Sequence, residues 1–316
     1  MVVPFSAVLN IMTSGGGGPR EVIAFLFLLL LLYSLLGWCG EMVYCSLCQR
    51  RLCEKRGFLN GPICPIYGHG ALLVLAALDG GCQNPVLTFL LGMLLTSIVE
   101  YITSFVMEKL FHMRWWDYSR YRFNINGRVC LRNSALFGAA CVLLCHSVGP
   151  RLTVFVARLI VRGSGVPMAI ALFVLYGVDV VLSVRSAIQI RARLEKLHAI
   201  QHELSEKLDH LREEHRQARE ARLVHLEEVI ATARQDLEEK RSDAVHTVQS
   251  RLEPLSGELA QRLEEARRDA RQSMKALYDK QDIFERRLLS SFPTMRSLHH
   301  SEALEKLREH LESRKD

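Results

Sequence analysis

Apolar positions fill the first part of the chain almost without a break, and polar positions fill the rest. Up to about Val184 charges are confined to short intervals, whereas from Arg185 onward Glu, Arg, Lys and Gln dominate alongside Leu and Ala. Crossing a bilayer takes about 20 mostly apolar residues. Such runs lie at about Val22–Leu47, in a second stretch ending near Leu78, and at about Val86–Leu110, Ser134–Val148 and Val166–Val184. The pattern predicts an all-α fold: a polytopic membrane helix bundle of about five transmembrane helices, followed by a long cytoplasmic helical, coiled-coil tail. It divides the chain into a flexible amino-terminal lead over 1–21, a transmembrane domain over 22–185 and the tail over 186–316.

The tail carries its own periodicity. Leu197, Leu204 and Leu211 recur every seven residues, as do Leu223, Ile230 and Leu237, and Leu252, Leu255, Leu259 and Leu263 continue the stripe in a shifted register. A seam this narrow is buried by a partner helix, so a coiled coil or hairpin is expected, and with it a homo-oligomer. Pro254 and Pro293 divide the tail into helical pieces, because proline clashes inside a helix.

Charge sets the orientation. The net charge of +6 and a mean hydropathy of +0.10 average two unlike halves and describe neither. Basic residues cluster at 48–56 (Arg50, Arg51, Lys55, Arg56) and at 112–132 (Arg114, Arg120, Arg122, Arg128, Arg132), whereas 79–85 carries only Asp79. Basic loops stay in the cytoplasm. This predicts a multi-pass protein of the cell (cytoplasmic) membrane, its amino terminus outside and its tail inside. Arg151, Arg158 and Arg162 run against that trend; the apolar spacing around them predicts an amphipathic helix on the outer surface. Acids interleave with bases throughout the tail, which excludes a nucleic-acid-binding arm.

The candidate chemistry begins with three acids inside apolar segments, Glu41, Glu100 and Asp179. A carboxylate at mid-bilayer costs about 2.5–3.5 kcal/mol on insertion scales, so it normally faces protein or water and finds a partner. Helical rise puts Glu100 and Asp179 about 20 Å below the outer surface and Glu41 near 28 Å. One shared polar site is therefore possible, and so is separate pairing of each acid with a loop arginine. Between Arg56 and Gly70, Gly57, Gly61, Pro62, Pro65 and Gly68 interrupt an otherwise apolar stretch. Irregular backbone at membrane depth is tolerated only against protein or a cavity. The stretch 56–70 is accordingly expected to be re-entrant, with Asn60 offering polar contacts. From Glu108 through Arg114, Trp115, Trp116 and Asp117 the chain reads as an interfacial anchor. The nine cysteines all lie in the membrane half; Cys45 and Cys48 lack a second ligand pair and read as apolar packing. There is no P-loop, G-x-S-x-G or H-E-x-x-H motif, and no metal or cofactor is expected.

These residues resemble a known bacterial family, the putative ABC-transporter type IV permeases, or CmpB-like membrane proteins. The resemblance is carried by Gly37-Trp38 with Glu41, by Arg56 through Gly68, and by Ser97 through Glu100-Tyr101 to Glu108. It continues from Arg114-Trp115-Trp116-Asp117-Tyr118 to Asn126-Gly127-Arg128 and includes Asp179 with Ser183. It covers roughly residues 22–185 and implies a transport subunit working with a separate ATPase, and it supplies no catalytic or substrate residues. The candidate binding set is Glu41, Arg56, Asn60, Glu100, Glu108, Arg114, Asp117, Arg128 and Asp179. A non-enzymatic permease-like subunit is the leading expectation. A membrane-anchored scaffold acting through the tail is the alternative, and an intramembrane enzyme on lipid or cell-wall precursors a weaker one.

Overall fold

The structure is a computed structural model that describes residues 4–14, 18–49, 57–79, 82–236, 261–277 and 283–312. Among these, helices at Pro19–Leu47, Pro85–Phe111, Leu131–Val161 and Gly165–Ile230 are long and apolar enough to cross a membrane, and Pro65–Leu78 is a shorter apolar helix. The chain is thus a nearly all-α, multi-pass membrane protein.

The elements in chain order are α1 (Phe5–Ser14), α2 (Pro19–Gln49), α3 (Pro65–Leu78), α4 (Pro85–Phe111), β1 (Met113–Arg114), β2 (Asn124–Ile125), β3 (Val129–Cys130) and α5 (Leu131–Leu143). A π turn at Leu144–Val148 joins α5 to α6 (Gly149–Val161), and α7 (Gly165–Asp236) follows. Residues 261–277 form α8. The chain ends with α9 (Ile283–Ser291), β4 (Arg296–Ser297) and α10 (Ser301–Glu312). Within the amino-terminal lead, α1 buries Phe5 and Val8 in the main core.

The bundle is built inside out, as lipid requires. On α4 the outward stripe is Leu87, Leu90, Leu94, Ile98, Ile102 and Phe105. The buried stripe of the same helix is Thr88, Gly92, Glu100, Ser104, Glu108 and Phe111. The apolar core is placed off this axis, where Phe25 and Leu29 of α2 meet Val74 and Leu75 of α3 and Val156 and Ile160 of α6. Helices in lipid associate where small residues let backbones approach. Gly68 is such a point: a Cβ there would stand 2.2 Å from Ser34 Oγ and 2.4 Å from the Leu30 carbonyl oxygen.

Local signals set the ends. Asn84 caps α4, its side chain accepting from the amides of Val86 (2.9 Å) and Leu87 (3.4 Å), with Pro85 in the first turn. His112 closes the same helix in the left-handed region at φ 56°. With 14 residues, α3 is about 21 Å long and falls short of a hydrocarbon core of about 30 Å. The outer-surface helix expected within 149–165 is instead α6, the continuation of the α5 span over Leu131–Val161. Pro150 has no amide hydrogen to donate, and the preceding π turn, with Gly149 N bonded to the Leu144 carbonyl, lets the helix pass it.

The chain forms two compact units, one of residues 1–192 with 282–316 and one of residues 193–281. In the second unit Arg193 donates to the Leu277 carbonyl and Lys207 lies in electrostatic reach of Asp269, so α8 runs antiparallel to α7. Leu197 is buried and Leu204 and Leu211 are half-buried, whereas Leu223 and Ile230 are 51% and 52% exposed. Leu237, Leu252, Pro254, Leu255 and Leu259 lie outside the described residues. Pro293 falls just beyond α9.

Candidate functional site

Glycines and prolines between 57 and 65 deny that stretch a helical ladder, so its amides and carbonyls need other partners. The amides meet α7. Asp179 Oδ1 accepts from the Asn60 amide at 2.8 Å and from Asn60 Nδ2 at 2.9 Å, and Asp179 Oδ2 accepts from the Gly61 amide at 2.7 Å. One turn on, buried Ser183 accepts from Asn60 Nδ2 at 3.1 Å. The Cys64 amide donates to the Ser34 carbonyl at 3.1 Å, tying the stretch to α2.

The carbonyls meet α9. Arg287 Nη1 donates to Gly57 O at 3.3 Å and to Leu59 O, and Nη2 donates to Phe58 O at 2.8 Å. Burial lowers the Arg287 pKa, and the Asp179 charge opposes that effect. Phe58 packs on Trp115 with centroids 5.1 Å apart, and Trp115 packs on Phe292 at 5.0 Å. Trp115 is only 2% exposed, so it is the centre of an aromatic cluster and not an interfacial anchor.

The other two membrane acids also hold irregular segments. Tyr67, in the first turn of α3, donates to Glu41 Oε2 at 3.0 Å, and Cys64 Sγ lies 3.9 Å from the same oxygen. Gly37 faces the Tyr67 ring so closely that a Cβ there would lie 2.3 Å from it. Buried Glu100 is hydrogen-bonded by the Tyr118 side chain, while its Oε2 has no hydrogen-bond partner among the described residues. Burial first, and then the Glu100 charge, push the Tyr118 hydroxyl well above the usual phenol range. Tyr118 is in turn within electrostatic reach of Tyr67. Among the described residues, each of the three carboxylates is therefore held by its own tyrosine or backbone partner. A shallow cavity of about 530 Å³ along α7, lined by Val180, Val181, Val184, Arg185, Ile188 and Gln189, includes none of them.

A second group surrounds the end of α4. Glu108, 9% exposed, accepts from Arg114 Nε at 2.8 Å and pairs with Arg128 Nη2 at 3.0 Å. Arg128 lies over the rings of Tyr101 (5.6 Å) and Phe105 (5.4 Å) and donates to Ser104 at 3.4 Å. The Asp117 side chain, 3% exposed, accepts from the Ser119 amide at 2.9 Å and pairs with Arg296 Nη1 at 3.0 Å. Burial acts to raise the Asp117 carboxyl, but the Ser119 hydrogen bonds and the Arg296 and Arg114 charges outweigh it and hold the group below the ordinary range. Arg296 arrives through an antiparallel pairing of β1 and β4, with Met113 opposite Ser297 and Arg114 opposite Arg296.

The structure therefore brings Asn60 to Asp179 and gathers Glu108, Arg114 and Arg128, and it places Glu41, Glu100 and Asp117 on separate partners nearby in the same unit. Arg56 lies outside the described residues. Sequence reasoning missed Arg287, Arg296, Tyr67 and Tyr118 as partners. Tyr67 and Tyr118 sat inside conspicuous motifs. Arg287 had one signal, a return to apolar residues around Phe284, Leu288 and Leu289 in an otherwise polar tail.

Residues 28–184 match the family model described as putative ABC-transporter type IV. No curated protein and no solved structure matches the chain. The resemblance read from the sequence therefore holds over the segment that carries Glu41, Asn60, Glu100, Glu108, Arg114, Asp117, Arg128 and Asp179.

Proposed function

Since residues 28–184 belong to the putative ABC-transporter type IV family, we propose that this chain is the permease-like membrane subunit of a transport system driven by a separate ATPase. In this reading it has no catalytic chemistry of its own. Glu41, Glu100 and Asp179 gate a polar site, and the segment after Arg56 closes its mouth on the cytoplasmic side, where the tail also lies. The observation that carries the proposal is the grip of Asp179, a residue of a membrane helix, on the backbone amides of Asn60 and Gly61. Charge-assisted bonds of this kind are short and directional, so a push on the loop reaches α7. Tyr67 of α3 with Glu41, and Tyr118 of the loop after α4 with Glu100, add side-chain links from two further spans. Cross-linked pull-down from native membranes tests the reading: a P-loop ATPase should be recovered with the wild type, and its yield should drop with Asp179→Asn in protein that still inserts. Recovery of no ATPase would refute it.

A second reading, a scaffold acting through its tail, is supported by the unbroken run of α7 over 72 residues and by exposed Leu223 and Ile230 on its far part. These fit a coiled coil between two copies. Replacing Leu223 and Ile230 together with Glu, without loss of phenotype or of self-association, would exclude it.

A further inference from the structure

Arg287 does not sit in the loop as an ordinary surface arginine does. Both its terminal nitrogens are spent on three successive carbonyls, those of Gly57, Phe58 and Leu59. Its Nε has no hydrogen-bond partner among the described residues. Only the planar fork is recognised, and a guanidinium fork matches converging oxygen acceptors in a way that an ammonium point charge does not. The receiving backbone is buried at Gly57 and Leu59. The amides that follow, of Asn60 and Gly61, are held by Asp179, which fixes the peptide unit of the Leu59 carbonyl and adds a negative charge nearby. Phe58 and Trp115 form an apolar wall beside the fork.

The two halves of this contact have different origins. The carbonyls, Asp179 and Trp115 all lie within the family segment 28–184, whereas Arg287 lies beyond it. Besides the burial of Leu288 and Leu289, Arg287 and its neighbours are joined to that segment by a two-residue strand pairing, the Leu298 amide on the His112 carbonyl, the Arg296–Asp117 ion pair and the ring of Phe292 on Trp115.

We propose that the Gly57–Leu59 backbone is a binding site for a guanidinium group, filled here by Arg287 as a built-in ligand and open to an arginine side chain of a partner peptide when α9 withdraws. The inference holds whether or not an ATPase works with this chain. Cys64 reports on the site, because its Sγ lies 2.8 Å from the position of a Cβ built on Gly57.

The experiment uses the full chain in detergent, with maleimide labelling of Cys64 read by peptide mass spectrometry. Arg287→Ala should raise the labelling rate by about tenfold or more, given the strength of charged hydrogen bonds. Millimolar guanidinium chloride, far below denaturing levels, should return the rate towards that of the wild type, and equal ammonium or sodium chloride should not. A peptide of residues 283–298 should protect as guanidinium does, and the same peptide carrying R287Q should not. Arg287→Lys should label like Arg287→Ala. Equal protection by sodium or ammonium, rescue by lysine, or no response to guanidinium would each overturn the proposal. Should Arg287→Ala fail to insert, Arg287→Gln carries the same comparison.

Discussion

Asp179 and Arg287 hold opposite sides of one short stretch of backbone: the aspartate accepts the amide hydrogens of Asn60 and Gly61, and the arginine donates to the carbonyls of Gly57, Phe58 and Leu59. An anion and a cation, far apart in sequence, thereby replace the hydrogen bonds that glycine and proline deny the segment.

Replacing Asp179 with Asn should loosen that stretch. The amide keeps one acceptor oxygen and turns a donor towards backbone amides, so about 2–4 kcal/mol should be lost from charged hydrogen bonds and an unpaired group. Limited proteolysis should show faster cleavage within 57–64. Wild-type protection in this variant would mean that the Asp179 charge is dispensable for the loop.

Glu108 serves two arginines, and removing one member of a buried pair typically costs about 3–5 kcal/mol. Glu108→Gln should therefore lower the thermal midpoint in detergent by roughly 10 °C, at about 2–4 °C per kcal/mol. Arg114→Ala should cost much less, because its side chain is 31% exposed and Arg128 remains paired. Equal losses would contradict this ranking.

The Asp117 carboxyl is held below its ordinary value by Ser119 and by the Arg296 and Arg114 charges, against the effect of burial. A depressed carboxylate binds fewer protons folded than unfolded, so its stabilisation is fully present above the ordinary aspartate range and disappears as pH falls through the lowered value. Hydrogen exchange in 294–299 should rise over that acid interval. Asp117→Asn should exchange faster at neutral pH and respond less to acid; an unchanged acid response would assign it to other groups.

Two glycine substitutions should differ in sign. Gly68→Ala forces a methyl against Ser34 and the Leu30 carbonyl, and overpacking of this kind costs about 1–3 kcal/mol or more. Gly177→Ala meets nothing within 4 Å in the membrane part of α7 and should stabilise by about 0.5–1 kcal/mol. Thermal unfolding of both variants checks the pair.

The spans were legible because lipid demands long apolar runs, and the breaker-rich loop because glycine and proline announce lost backbone bonds. Asp179 and Asn60 both stood out, yet nothing in their spacing says that they touch across 119 positions. Arg287 could not be paired for the same reason, lying 228 residues from Leu59, although the apolar residues around it marked its helix as one that packs. Trp115 looked like an anchor because tryptophan beside arginine at a helix end has that meaning when nothing covers it. Phe292, supplied from the carboxy-terminal segment, covers it here. The outer-surface placement expected for the helix within 149–165 gave way to one continuous helical run, Leu131–Val161, because a proline that normally ends a helix is carried through at Pro150 by a widened turn.

Similarity ends at residue 184, but cohesion does not: residues 282–316 fall in the same compact unit as the membrane helices. A version trimmed to the recognisable portion would insert with three buried oxygens facing nothing and the Trp115 face uncovered. For expression, a boundary that keeps α9 and α10 is therefore more useful than one placed at 184.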